Sequence, residues 1–302
     1  NFSLAYRFFT HFFEPVNGVM PTCGEIFERT KIDYTDPYTR NFLLIGDPAL
    51  TLAYPKHDIV TTEINTHPIS ASADTLSALS KVTIKGEVRD RAGNKLTNFS
   101  GIVYPTVYDK AVTYRTLGND LNWTGDGGND FPENFVLQKN ILYKGKASVT
   151  NGDFSFTFIV PKDIAYQYGF GKLSYYAQNG ETDANGYYSN VLIGGINTNA
   201  TTDNNGPEIK LYMNDNKFVF GGMTDNSPFL YAELRDDNGI NTVGNGIGHD
   251  LTSVLDDDNS KLTVLNDYYE SDIDNYQAGK VRYQFHDLSV GRHQLTLKVW
   301  DV

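Results

Sequence analysis

Apolar and polar residues alternate with period two along most of the chain, and only the first forty residues follow a different rhythm. Val82, Ile84 and Val88 alternate with Lys85, Glu87 and Arg89 ahead of Asp90-Arg91-Ala92-Gly93-Asn94, which predicts a half-buried strand and the turn that ends it. Ala147-Ser148-Val149-Thr150-Asn151-Gly152-Asp153-Phe154-Ser155-Phe156-Thr157-Phe158 predicts a hairpin, because Asn-Gly supplies both positive-φ residues of a type I′ turn. Further strands are expected at 101–107, 135–143, 172–178 and 190–193. A polar stretch from 197 to 207 then reads as a linker. Beyond it, strand patterns resume at Ile209, Leu211 and Met213, at Phe218-Val219-Phe220, at Leu230, Ala232 and Leu234, at Val281, Tyr283 and Phe285, and at Leu295, Leu297 and Val299. Strands separated by turns on both sides of a linker spell two sandwiches.

In the first forty residues Ala5, Phe8, Phe9 and Phe12 recur at helical spacing, with Phe2 and Phe13 flanking them and Pro15 closing the segment, so this aromatic stripe is expected to be core. Thr22-x-x-Glu25 announces a second helix with a capping box. The apolar run 42–45, bounded by Gly46-Asp47-Pro48, predicts a strand buried on both faces that ends in a tight turn. Residues 50–53 predict an edge strand closed by Pro55.

Composition agrees with a turn-rich β protein: 27 Gly and 20 Tyr stand beside two Trp and one Cys in 302 residues. A formal charge of −12 excludes a nucleic-acid surface, which needs a Lys/Arg stripe, and argues equally against anionic membranes. No apolar run reaches the ~20 residues that span a bilayer. The chain opens inside a helical pattern and stops at Trp300-Asp301-Val302 without a turn, so it is expected to be an internal piece of a longer protein.

Candidate chemistry is sparse. Cys23 falls at the first helical position, where the helix dipole can lower a thiol pKa, but no His stands in a recognisable partner motif, so it is disfavoured as a nucleophile. His11 and His57 flank it in sequence only. The Asp120–Asp130 segment alternates acids and amides before a glycine yet lacks the bidentate Glu and flanking helices of an EF-hand, and an ordinary polar loop is expected there. The glycine-rich loop 236–250 with Asp225, Asp236, Asp237 and Asp250, and Asp256-Asp257-Asp258 nearby, is the calcium candidate; solvated acids on a strand connection are the favoured alternative. Gly244-x-Gly246-x-Gly248 has the wrong spacing for a dinucleotide fingerprint, and His249 and His286 lack a visible nucleophile. Asn98-x-Ser100, Asn122-x-Thr124 and Asn199-x-Thr201 match a glycosylation pattern that is common by chance.

Taken in order, the motifs resemble a known family. Thr22-Cys23-Gly24-Glu25-Ile26, Lys31 and Asn41-Phe-Leu-Leu-Ile-Gly-Asp-Pro-Ala-Leu50 look like the end of a gingipain-type (C25) cysteine peptidase domain. Phe99-Ser100-Gly101, Val107-Tyr108-Asp109-Lys110, Leu142-Tyr143-Lys144-Gly145, Val160-Pro161-Lys162-Asp163-Ile164, Asp236-Asp237-Asn238-Gly239-Ile240-Asn241-Thr242, Leu265-Asn266-Asp267-Tyr268-Tyr269 and Lys298-Val299-Trp300-Asp301 resemble the PorU family of type IX secretion system sortases. The resemblance covers essentially all 302 residues.

It implies a mainly β chain: the C-terminal end of an α/β peptidase domain at 1–56, then immunoglobulin-like β-sandwich domains at 57–198 and 206–302, the second cut at its C-terminal end. It implies a parent that removes C-terminal secretion signals from cargo proteins and transfers the cargo to a lipopolysaccharide-type anchor by thiolate transpeptidation, at the extracellular face of the outer membrane of Bacteroidetes-type bacteria. The implied partners are a PorV-like outer-membrane β-barrel, attachment-complex proteins and signal-bearing cargo. The family's nucleophile and His motifs are not in this chain, so the segment alone is expected to be inactive and to need no cofactor, with calcium as the one candidate. The alternative is a cell-surface adhesin or glycan-binding array of β-sandwiches.

Overall fold

The computed structural model describes residues 2–34, 36–70, 75–118, 132–200, 205–242 and 249–302. It is mainly β, with several sheets, and divides into two compact units, Asn1–Pro55 and Lys56–Val302.

In the first unit, α1 (Phe2–His11) and α2 (Cys23–Asp33) pack together. The capping box forms as expected: Thr22 Oγ1 accepts from Glu25 N–H at 3.2 Å, and the Glu25 carboxylate accepts from Thr22 N–H at 2.8 Å. Those bonds to the charged form hold the Glu25 carboxyl below its ordinary range. Between the helices Asn17-Gly18, both at positive φ, close a two-residue turn in which Val16 and Val19 exchange backbone hydrogen bonds of 2.8 and 3.0 Å. That Asn-Gly carries the same signal as Asn151-Gly152 but has a single residue pair to clasp, not two strands.

Two expectations fail in this unit. The aromatic stripe is not a buried face: Phe9 is 64% and Phe13 75% exposed, while the buried positions of α1 among the described residues are Leu4 and His11. Helix α1 turns its Leu4–His11 side inward; Phe8 and Phe12 are half-buried and meet edge-on at 4.8 Å, Phe8 also meets Phe27 of α2 edge-on, and exposed Phe9 stacks on Phe12 at 5.8 Å. Nor is 42–45 a buried strand. It is irregular chain, with Leu43 79% and Ile45 96% exposed. A strand buried on both faces needs ladder neighbours, and among the described residues of this unit the only bridges are Val16 with Val19 and Thr22 with Thr51. The expected edge strand 50–53 is reduced to that second bridge. The tight turn expected after 42–45 is present, with Asp47 O accepting from Leu50 N–H at 3.2 Å and Asp47 Oδ1 from Ala49 N–H at 2.9 Å.

The second unit begins with a large ladder that runs, in spatial order, through Lys172–Gln178, Asp183–Tyr188, His57–Ile64, Lys81–Arg89, Asp153–Ile159, Ala147–Thr150, Gly101–Tyr108 and Ile141–Lys144. Gly101–Tyr108 pairs back onto Lys172–Gln178, so the path closes on itself. Alternation works as predicted: Val82, Ile84 and Val88 are buried with Val103, Val107, Phe158 and Leu173 in one apolar core. Asn151 (φ 52°) and Gly152 (φ 82°) make the expected hairpin turn. The expected strand 135–143 is broken: Asn134–Leu137 pairs with Val112–Arg115 in a separate ribbon, and only Ile141–Lys144 joins the ladder. At the break, Gln138 Nε2 donates to Asp109 O at 2.9 Å, and Asp109 N–H donates to Asn140 O at 2.7 Å.

A second ladder holds Glu208–Met213, Phe229–Arg235, Asn275–Gln284 and Tyr269–Asp272, around Leu230, Ala232, Leu251, Leu265 and Val281. Thr252–Leu255 pairs with Leu262–Val264 and Leu295–Lys298, and Ile240–Asn241 with Trp300–Asp301. Residues 218–220 are not a strand; Phe220 is 96% exposed. Asn214 N–H bonds directly to Phe229 O at 2.7 Å, which closes the ladder and leaves the intervening residues outside it.

Candidate functional site

Helix α2 presents Cys23 at its first turn, but the amides there are already used. Cys23 N–H donates to Leu50 O and Gly24 N–H to Pro48 O, both at 2.8 Å, and Glu25 N–H goes to Thr22 Oγ1. Gly24 permits the first two bonds, because a Cβ there would lie 2.8 Å from Pro48 O. A helix terminus closed by its own chain has no free donors for an anion, and no oxyanion hole forms at this position. His11 is engaged elsewhere, with Nδ1 2.7 Å from Glu14 and Nε2 2.9 Å from Asp33, and Arg29 completes the cluster on Glu14 at 2.9 Å. His57 belongs to the second unit and packs edge-on against Phe99.

Of the residues named as calcium candidates, Asp225, Asp236 and Asp250 use their carboxylates locally and Asp237 its backbone carbonyl. Asp225 accepts from Ser227 N–H at 2.9 Å. Buried Asp236 accepts from Asn238 N–H at 2.7 Å and Gly239 N–H at 3.1 Å, an Asx turn that Gly239 completes at φ 97°. The Asp237 carbonyl accepts from Gln277 Nε2 at 2.7 Å, and Asp250 accepts from Asn266 Nδ2 at 2.8 Å. Asp256 faces His293, and Asp258 caps the short helix Asn259–Lys261 through Ser260. Among the described residues no group of three or more His, Cys, Asp or Glu side chains is placed to hold a metal. The glycines at 244, 246 and 248, and the Asp120–Asp130 loop, lie outside the described residues. His249 is held by Asp163 and lies 4.6 Å from the Trp300 ring at a tilt of 47°, and His286 is exposed.

What the structure does assemble is a seam inside the second unit, joining the strands around Lys146 to the hairpin of Tyr269–Asp272 and Asn275–Gln284. Lys146 N–H donates to Ser271 Oγ at 3.1 Å, and Lys146 O accepts from Asp274 N–H at 3.0 Å. The Asp274 carboxylate takes Ser148 N–H at 2.7 Å and Ser148 Oγ–H at 2.6 Å. Lys146 Nζ lies 2.5 Å from Glu270, an exposed pair that adds little. Behind these bonds a small cavity of about 20 Å³, lined by Tyr143, Phe158, Ile240, Tyr269 and Tyr276 among others, has room for one water. Burial pushes the Tyr143 and Tyr269 hydroxyls above the ordinary phenol range, and the Asp274 charge adds to the effect on Tyr143. Sequence reasoning missed this seam. Asp272-Ile273-Asp274-Asn275 reads as turn-forming, but nothing in the pattern says which strand the turn would reach.

No family model matches the chain, and no curated protein matches it. Among solved structures, a dimeric latent PorU from Porphyromonas gingivalis matches over 97% of this chain at 31% identity and a TM-score of 0.50. The chain is PorU-like. It spans 27% of the PorU chain, so the similarity is to a segment of that protein. Spo0M of Bacillus subtilis (12% identity, 77% of this chain and 91% of that one, TM-score 0.25) and E. coli alpha-2-macroglobulin (12%, 81% and 13%, TM-score 0.25) overlap only loosely and carry no argument beside PorU. Among the described residues no helix is long and apolar enough to cross a membrane.

Proposed function

We propose that this chain is the supporting portion of a PorU-type sortase: the end of a gingipain-like α/β peptidase domain at 1–56, followed by β-sandwich domains at 57–198 and 206–302 that brace the catalytic part and dock partners at the outer-membrane surface. The carrying observation is the 31% identity to PorU, sustained over 97% of the chain. The exposed apolar side chains of the first unit, Phe9, Phe13, Leu43 and Ile45 among them, support it, since a surface of this kind fits the edge of a larger domain better than a free one. The parent protein would remove C-terminal signals from cargo by thiolate chemistry and pass the cargo to a surface anchor, with a PorV-like barrel and attachment-complex proteins as partners. Cys23 takes no part in that chemistry, because the amides of its helix turn are closed by Pro48 and Leu50.

The test has two arms. Residues 1–302, incubated with a signal-bearing cargo protein, leave it intact by mass spectrometry; cleavage that disappears in Cys23→Ala would refute the assignment. In the full-length protein, deletion of 57–302 abolishes signal removal from cargo in cells, while Cys23→Ala leaves it unchanged.

A further inference from the structure

The strand Ala147–Thr150 is only half covered by its own ladder. Gly145 N–H donates to Pro105 O at 3.1 Å, and Ala147 and Val149 continue that register against Val103 and Gly101. Backbone groups alternate in direction along an antiparallel strand, so Lys146, Ser148 and Thr150 turn theirs to the opposite side. On that side Thr150 is paired with Asp153 and Val149 with Phe154, and the pairing with Asp153–Ile159 goes no further. Lys146 and Ser148 are left facing a gap in the ladder. The turn of the neighbouring hairpin fills it. Lys146 N–H donates to Ser271 Oγ, Lys146 O accepts from Asp274 N–H, and Ser148 N–H donates to the Asp274 carboxylate.

We infer that the 271–274 turn is a ladder cap that locks residues 57–198 and 206–302 into one rigid body, so that their relative orientation is set by this seam and the stretch 197–207 serves as a tether. Domains joined by a polar linker move against each other by default, unless their interface prevents it. Here the interface supplies the partners of a strand edge. Pulling the turn away would strand the N–H and C=O of Lys146 and the N–H of Ser148 together, and would open an edge of the kind that recruits other chains. Two further attachments oppose rocking about the cap. Tyr276 packs against the apolar core of the large ladder, with Lys81 Nζ 5.8 Å from its ring centroid, and Asp163 holds His249. The inference stands apart from the sortase reading and does not depend on it.

Cutting the tether in the folded chain tests it. A protease recognition sequence is inserted within 201–204, and the whole protein is cleaved after folding. The two products are expected to stay together in gel filtration. Spin labels at the exposed positions Glu181→Cys and Arg292→Cys, in a Cys23→Ala background, are expected to show a narrow distance distribution that the cut leaves unchanged. Ser271→Ala with Asp274→Ala should weaken the association of the cut products roughly tenfold or more. Glu270→Ala, which removes only the exposed ion pair with Lys146, should leave it unchanged. If the double variant fails to fold, the label distances before and after the cut decide the matter. Separation of the products on cutting, a broad distance distribution in the uncut chain, or unaltered association in the folded double variant would each overturn the proposal.

Discussion

The Asp274 carboxylate holds Ser148 twice, taking its backbone N–H at 2.7 Å and its hydroxyl at 2.6 Å. Asp274 reaches that position because it sits at φ 59° in the tight turn between Tyr269–Asp272 and Asn275–Gln284. Through it, residues 126 apart in sequence are joined.

Asp274→Ala removes both bonds and leaves the Ser148 N–H and Oγ–H without their acceptor. Because both residues are exposed, water replaces part of what is lost, and the expected destabilisation is about 1–2 kcal/mol. Thermal unfolding of the variant should show it, and Asp274→Asn should fall between the variant and the parent. An unchanged transition in Asp274→Ala would mean that the seam is held by its apolar contacts alone.

Tyr269 differs from its neighbours in having a buried hydroxyl without a protein hydrogen-bond partner. Its ring lies across Gly279, where a Cβ would meet the ring at 2.5 Å. Tyr269→Phe keeps the ring and removes the polar atom, so denaturant unfolding is expected to show equal or greater stability, by up to ~1 kcal/mol. Tyr269→Ala empties the site and should cost roughly 3–5 kcal/mol.

His293 and Asp256 make the second unit pH-dependent in a definite direction. The Ser289 carbonyl, 2.8 Å from His293 Nε2, and the Asp256 carboxylate, 2.9 Å from Nδ1, raise the His293 pKa above its ordinary value of 6.5. The hydrogen bond from His293, with another from Gln294 N–H, lowers the Asp256 pKa below 3.8. The His293 contribution is complete below pH 6.5 and is lost as pH rises through the folded-state value. The Asp256 contribution is present above pH 3.8 and is lost as pH falls through its depressed value. Stability from this pair is therefore greatest between those limits. Melting temperatures at pH 5.5 and pH 8 should differ less in His293→Gln than in the parent; an equal difference would remove the pair from the pH response.

Thr22→Ala removes the acceptor for Glu25 N–H and should cost about 1 kcal/mol of α2 stability. Hydrogen exchange at that amide is expected to accelerate, whereas Thr22→Ser should leave it slow.

Local features were legible wherever neighbours in sequence suffice to define them. The capping box at Thr22 and Glu25, the Asn151-Gly152 hairpin and the alternation from Val82 to Val88 depend on residues a few positions apart, and each is present. The failures share one cause. Phe8, Phe9 and Phe12 carry a helical period and 42–45 an apolar run, but neither pattern says whether anything covers the face it creates. Phe218-Val219-Phe220 is apolar enough for a strand, yet Asn214 had already closed the ladder onto Phe229.

The sequence by itself determined the mainly β character, the positions of the turns, the capped helix and the resemblance to PorU, because period, positive φ and capping act over a few residues. Only the tertiary structure decided that Gly101–Tyr108 closes the ladder against Lys172–Gln178, that Tyr104 stands beside Tyr176, and that Asp274 reaches Ser148. Those pairings join segments more than 60 residues apart, and they are selected by how buried faces fit together, which no local pattern encodes.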